Sequence, residues 1–306
     1  MTSWFSGFQP YYETAQVGWY VAFTAYWGSY VLTPALLWAG WRGLRQWRAR
    51  RWLGRSLIVA WWLATAWFVD ARFIEPARIT VQQTRLAVGV PTRIALVSDL
   101  HLGLFKGPAY LERVVDELNR LDVDAVLIAG DHNYRPSQTL DELLAPWKRC
   151  KHPVYSVPGN HDEEHPGPPL REALRAALHR NGVHTVEYEH VDMGGYYLVG
   201  IGDHLARRDG IGALMATPTD KPRVLLFHNP MTIWHVPKRS AALALAGHTH
   251  GGQIRLPYIT PRMLGWLEKG FYPRTPVPLF ITSGLGESHL PLRWNVPPVI
   301  DVLDLH

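Results

Sequence analysis

The sequence predicts an α/β fold: a largely parallel sheet with a second sheet packed on it, helices outside, and a two-helix membrane hairpin in front. Three observations lead there. Long uncharged apolar stretches lie before residue 76, strand-like runs alternate with helix-period segments from about residue 92 to 182, and shorter strand-like runs fill the rest. With 306 residues and 47% hydrophobic content, the chain can bury a large core. Its single cysteine, Cys150, excludes an intramolecular disulfide and a multi-cysteine zinc site.

The first element is "VGWYVAFTAYWGSYVLTPALLWAGW", residues 17–41, which holds no charged residue. At ~1.5 Å per residue it can cross a hydrocarbon core of ~30 Å. Pro34 removes one backbone hydrogen bond, which membrane helices tolerate, and the Trp and Tyr side chains suit the lipid interface. The second run, Ser56–Val69, is only fourteen residues long. Snorkelling by Arg55 on one side and the segment 70–73 on the other would extend it. Between the runs stand Arg42, Arg45, Arg48, Arg50, Arg51 and Arg55, which account for the net charge of +5; the rest of the chain is near neutral. The positive-inside rule puts this connector in the cytoplasm and everything after about residue 76 across the membrane. In a Gram-negative cell that means an inner-membrane protein with a periplasmic domain. The competing arrangement is a monotopic anchor, or a second helix lying in the interface, with the arginines gripping anionic lipid. A cleavable signal peptide fits badly, because the first run is too long and lacks a basic leader. The expected division is a membrane anchor over 1–76 and a catalytic domain over 77–306.

Residues 79–88 read as strand material leading into that domain. "RIALVSDLHLG", "DAVLIAGD" and "PVYSVPGNHD" each carry an apolar run into a polar, glycine-containing loop, and "AYLERVVDELNRL", "QTLDELLAPWKR" and "PPLREALRAALHRNG" are helical between and after them. Such β-α units gather their loops at the carboxyl ends of parallel strands. The shorter runs "HTVEYEHV", "YYLVGIG", "RVLLFHNP", "ALALAGHTHGGQIRLP", "PLFITSG" and "PPVIDVLDL" supply the second sheet.

The residues at the ends of these strands are chemically biased. Asp99 and His101 come after the first, Asp131 after the second, Asn160 and His161 after the third, His228 after "RVLLF", and His248 and His250 after "ALALAG". A lone Asp-x-His is more often a solvated turn than a ligand pair. Together, carboxylates that suit hard divalent ions and imidazoles that suit Mn, Fe or Zn argue for metal. Seven plausible ligands exceed the four of one tetrahedral zinc, which argues for two ions. Gly130, Gly159 and Gly247 sit where the backbone must turn tightly beside them.

The segments "SDLHLG", "AGDH", "PGNHD", "FHNP" and "AGHTHGGQ" together resemble the dispersed signature of calcineurin-like metallophosphoesterases, over about residues 92–306. The anchor and the ending "SGLGESHLPLRWNVPP" resemble the membrane-associated branch of that family. The resemblance implies a two-sheet metallophosphoesterase sandwich flanked by helices and hydrolysis of a phosphoester at two divalent metal ions. Carried over residue by residue, Asp99, His101 and His250 would hold one ion, Asp131 would bridge, and Asn160, His228 and His248 would complete the other. His161 would stand beside the metals as a catalytic group, stabilising phosphoryl oxygens or protonating the leaving alkoxide. Asp162 would orient it, or else cap a helix. One departure is "HNYR" after Asp131, where His132 and Arg135 could contact phosphate, His132 could instead cover the cleft, and Arg135 could be an ordinary loop arginine.

Absence of a "GxxxxGK" loop and a "GxSxG" elbow lowers P-loop and serine-hydrolase readings. An anchor beside a phosphoryl-cleaving site favours membrane lipids as partners and an amphiphilic or lipid-linked phosphorylated substrate. The stretch "YITPRMLGWLEKGFY" is either its way in or a covered loop and helix. Two alternatives remain open: a non-enzymatic scaffold stabilised by metals, and a phosphodiesterase acting on soluble nucleotides or nucleic acid. The soluble part shows no basic, aromatic-interleaved face of the kind nucleic acid requires.

Overall fold

The computed structural model describes residues 13–136, 138–163, 170–260 and 267–306. Two helices open it, α1 (Glu13–Arg45) and α2 (Trp52–Val69), joined through a short 3₁₀ turn at Trp47–Ala49. They run antiparallel. Trp61 Nε1 donates to the Leu36 carbonyl at 3.0 Å, and Gly40 admits the Trp62 ring so closely that a Cβ would stand 2.9 Å from it. The second helix continues through a wider turn at Asp70–Ile74 and a 3₁₀ turn at Glu75–Ala77. Among the described residues, the resulting 26-residue helix Trp52–Ala77 is the one long and apolar enough to cross a membrane by length and composition. The sequence favours the first run instead. Its many Trp, Tyr, Ser, Thr and Gly residues dilute its apolarity, while the second run gains length because Arg72 and Glu75 are buried in protein contacts.

The next strands are β1 (Thr80–Leu86), β2 (Thr92–Val97) and the short β3 (Leu102–Gly103), followed by helix α3 (Pro108–Leu118). After β4 (Ala125–Ala129) and β5 (Asn133–Tyr134) comes α4 (Leu140–Leu144), opened by a Thr139–Glu142 capping box. Then follow β6 (Val154–Val157), the single turn α5 (Asn160–Glu163) and α6 (Arg171–Arg180). Strands β7 (Val183–Thr185), β8 (His190–Asp192) and β9 (Tyr197–Gly200) precede α7 (Gly212–Ala216). The chain ends with β10 (Arg223–Leu226), β11 (Leu243–Ala246), β12 (Gly270–Tyr272), β13 (Leu279–Ile281) and β14 (Val299–Leu305).

Two six-stranded sheets result, ordered β1-β14-β2-β4-β6-β7 and β12-β13-β11-β10-β9-β8. Strands β2, β4, β6 and β7 are mutually parallel, as are β9, β10, β11 and β13. Two assignments differ from the sequence reading. "PPVIDVLDL" joins the first sheet, parallel to β1 and antiparallel to β2, because six of its seven residues are buried and only a central position covers both its faces. "HTVEYEHV" is split, giving β7 to the first sheet and β8 to the second.

Three apolar layers hold the sandwich. Helix α3 turns Tyr110, Leu111, Val114, Val115 and Leu118 onto the first sheet at helical spacing, with Trp147 and Leu174 beside them. Leu96, Leu127, Leu226 and Leu245 pack between the sheets. Phe227, Ile233 and Ile281 belong to a third cluster that includes residues of the second sheet. Residues 261–266 of the aromatic stretch, and Pro168 and Pro169 at the expected start of the third helix, lie outside the described residues.

Candidate metal centre

The parallel strands of both sheets end at one edge, so the loops after β2, β4, β6, β10 and β11 meet there. Asp99, His101, Asp131, His248 and His250 all adopt positive φ, between 47° and 72°. Non-glycine residues rarely do so without a reason, and clusters of them mark functional sites. Backbone bonds between the loops fix the strained turns. Asp99 N donates to the Gly130 carbonyl at 3.0 Å, His101 N to Asp131 at 3.1 Å, and Leu102 N to His132 at 3.0 Å. Gly159 is required for room, since a Cβ there would fall on the Asp131 carboxylate. Gly130 needs both its φ of 81° and its open side, where a Cβ would lie 2.7 Å from His228 Nδ1.

The side chains form two adjoining groups. In one, His101 Nε2 and His250 Nε2 approach to 3.1 Å, and Asp99 Oδ1 lies 3.3 Å from His250 Nε2 and 3.7 Å from His101 Nε2. In the other, His228 Nε2 lies 3.2 Å from Asp131 Oδ2, 3.2 Å from Asn160 Oδ1 and 3.1 Å from His248 Nδ1. Asp131 faces both, its Oδ2 also standing 3.5 Å from His101 Nε2. All seven metal-ligand residues expected from the sequence thus come together, with Asp131 in the middle.

Their tautomers are set by the groups behind them. His228 Nδ1–H donates to the Ala129 carbonyl at 2.7 Å and His250 Nδ1–H to the Gly286 carbonyl at 3.2 Å, leaving both Nε2 lone pairs aimed inward. Burial holds His250 down at about 3 and His248 at about 4, so both are neutral, as ligands must be. Burial alone would raise Asp131, but His228 and the neighbouring imidazoles hold its carboxyl well below the usual range. Lone pairs facing one another, and a buried Asp99 Oδ1 without a hydrogen-bond partner, are what a bound cation would satisfy. The residues present therefore fit divalent metal.

His161 stands at the edge of the groups. Its backbone N–H donates to Asp131 Oδ1 at 2.9 Å, and its ring meets His101, Tyr134 and His289 with centroids 4.8, 5.1 and 6.2 Å away. Burial holds its imidazole well below the ordinary value, so the ring carries a neutral N–H.

Asp162 has a different job from the one its neighbourhood suggests. Its carboxylate accepts from the backbone N–H groups of Gly159 (3.0 Å), His132 (3.1 Å) and Asn133 (3.2 Å), so it ties the β6 loop to the β4 loop rather than orienting the His161 ring. Burial, with the charge of Asp131, pushes it up to about 7. His132 is wholly buried and pushed down to about 4 by burial, so it fills the wall of the site and does not reach toward substrate. Arg135 lies over the Tyr134 ring, 5.6 Å from its centroid.

Several neighbours escape the sequence reading. Asp203, fully buried with Oδ2 unpartnered, comes after the run "YYLVGIG". The strand-end rule that finds the other residues could have found it. The loop 283–287 closes the other side: Gly286 N donates to the Asp99 carbonyl at 2.5 Å, and Leu285 N to Ser98 at 3.0 Å. Farther along, Asp209 Oδ2 receives both His204 Nδ1 (2.6 Å) and His235 Nδ1 (2.7 Å), a separate knot of two imidazoles on one oxygen.

Sequence comparison relates the chain to known proteins. The calcineurin-like phosphoesterase family profile matches residues 92–252. A metallophosphoesterase of Helicobacter pylori is 31% identical over 223 residues, 70% of this chain, which spans 59% of that relative's length. The phosphodiesterase YaeI of Escherichia coli is 25% identical over 76% of this chain and 90% of its own. A Danio rerio transmembrane protein with a metallophosphoesterase domain is 28% identical over 66% of this chain and 50% of its own.

Asp162→Ala would strand three buried amides, and the expected loss of folding stability is about 2–3 kcal/mol. Denaturant unfolding measures it. A loss below about 0.5 kcal/mol would mean the carboxylate does not clamp these loops.

Proposed function

Because the chain belongs to the calcineurin-like phosphoesterase family, we propose that it is a membrane-anchored, metal-dependent hydrolase of phosphoester or pyrophosphate bonds in an amphiphilic or lipid-linked substrate. The supporting observation is the pair of ligand groups sharing Asp131, with imidazole lone pairs facing inward. Asp99, His101 and His250 would hold one ion, Asn160, His228 and His248 the other, and Asp131 both. Divalent ions such as Mn, Fe or Zn held there would supply Lewis acidity toward a phosphoryl oxygen and a bound water.

The chain's own residues do the rest. His161 presents a neutral N–H at the rim, where it can donate to a phosphoryl oxygen or to the departing alkoxide. Tyr134 packs edge-on against both His101 and His161 and holds the two rings in register. Arg135, over the Tyr134 ring, would offer a guanidinium to a phosphate bound beside it. The name of the Escherichia coli relative favours a diester, while the amphiphilic substrate is inferred from the anchor.

An aromatic path joins the two. Tyr26 of α1 meets Phe105 with centroids 5.6 Å apart, Phe105 meets Tyr134 at 5.4 Å, and Tyr134 meets His161 at 5.1 Å. The site therefore lies three ring contacts from α1, and tethering there would raise the effective concentration of headgroups.

The metal-loaded full chain should hydrolyse bis(p-nitrophenyl) phosphate, lose the activity on chelation and regain it with Mn²⁺ or Zn²⁺. Asp131→Ala should be inactive, and His161→Ala should keep its metal but turn over ~10²–10⁴-fold more slowly. Metal-replete wild type without turnover would leave the scaffold reading standing.

In this reading the connector arginines face the cytoplasm and the catalytic domain lies across the inner membrane. A phosphatase reporter fused after His306 should be active only in the periplasm; cytoplasmic activity with protease protection would reverse the orientation.

A further inference from the structure

Where the anchor meets the catalytic domain, a cavity of about 320 Å³ lies among Gly28 and Leu32 of α1, Phe68 of α2, Leu290, Leu292 and Arg72. That size is at the lower end of small-molecule pockets, about 300–1,000 Å³. Its walls are mostly apolar, with Arg72 and the hydroxyl side chains of Thr24 and Ser29 as the polar exceptions. This arginine is 7% exposed and has no carboxylate partner among the described residues. Its Nε donates to Ser29 Oγ at 2.8 Å, and its guanidinium lies over the rings of Tyr26, Tyr30 and Phe73, 4.6–5.2 Å from their centroids. Its Nη2 has no hydrogen-bond partner. A buried cation needs an anion or full hydrogen bonding, and stacking on rings supplies neither for Nη2.

Its height along the anchor matters too. Arg72 stands 17 residues beyond Arg55, ~26 Å along a helix, close to the ~30 Å of a hydrocarbon core. With the connector arginines at one headgroup layer, Arg72 lies at the other. Guanidinium binds phosphate in paired hydrogen bonds, and the apolar cavity beside it offers space of acyl-chain character.

We propose that this cavity is a binding site for an anionic phospholipid of the bilayer, its phosphate on Arg72 and an acyl chain among Leu32, Phe68 and Leu292. The inference rests on the membrane-embedded reading of the anchor and does not require the lipid to be the substrate. The site adjoins the catalytic rim through His289, whose ring lies 6.2 Å from that of His161. A lipid held there would fix the domain's height and tilt over the membrane.

The test uses metal-free full chain in a neutral detergent, with lipid adducts read by native mass spectrometry and the melting midpoint by calorimetry. Dioleoylphosphatidylglycerol should be retained at least tenfold more than dioleoylphosphatidylcholine and should raise the midpoint, whereas sn-glycerol 3-phosphate, which lacks chains, should do neither. Arg72→Gln should abolish the preference between the two lipids. Should that variant not fold, Leu292→Trp, which fills the cavity and keeps the arginine, should lose phosphatidylglycerol retention. Equal retention of both lipids by wild type, an equal response to glycerol phosphate, or unchanged preference in the folded variants would overturn the site. Binding is read without metal, so its failure leaves the phosphoesterase reading untouched, and absence of turnover leaves the lipid site untouched.

Discussion

The cross-loop hydrogen bonds from the end of β2 to the end of β4 are what the candidate metal centre depends on. Asp99, His101 and Asp131 sit in left-handed backbone, each at a cost of about 1–3 kcal/mol. A hydrogen bond contributes about 0.5–1.5 kcal/mol net, so these bonds direct the turns without by themselves offsetting the strain. The stabilisation comes from the sheets, whose central strands are buried on both faces and hold the loops at a fixed spacing. Parallel pairing then puts successive strand ends side by side, and the second sheet delivers its histidines across the same edge.

The second dependence is on buried cations. Arg293, fully buried, donates to the carbonyls of Ser283 (2.9 Å), Gly286 (2.7 Å) and Val296 (2.9 Å), and Lys106 donates to Leu285 (2.7 Å) while pairing with Glu287 at 2.9 Å. These contacts shape the loop whose Gly286 carbonyl sets the His250 tautomer. The same residues reach the anchor: Lys106 Nζ donates to the Pro76 carbonyl at 3.1 Å, Arg293 N to Ala71 at 2.8 Å, and Glu75 accepts from Asn295 and Val296 amides at 2.9 and 2.6 Å. The segment 71–76 is therefore a structural part of the wall of the candidate metal centre, joining the N-terminal helices to it through buried hydrogen bonds.

The chemistry is more legible in the sequence than the architecture around it. Ligands at strand ends are readable because an apolar run that stops at Asp or His is a local signal, and Asp99 through His250 all obey that rule. Asp203 obeys it too, but a single carboxylate outside the family signature carries little signal of its own. Asp162 misleads because adjacency to His161 suggests cooperation, whereas in a single helical turn successive side chains leave in different directions, and its carboxylate finds two amides of the neighbouring loop and one of its own. The placement of β14 between β1 and β2 is a long-range pairing that apolarity alone cannot encode. Likewise, the extension of α2 past Asp70 depends on aromatic partners for Arg72 that come from α1, some forty residues earlier.

The central claim is that seven side chains from five strand ends form one centre for two cations bridged by Asp131. Metal analysis of the full chain tests it most directly, after chelator stripping, reloading with Mn²⁺ or Zn²⁺ and removal of free ion. The account predicts about two ions per wild-type chain and fewer than about one for Asp131→Ala, since that carboxylate faces both groups. At most one ion bound by fully reloaded wild type would contradict it.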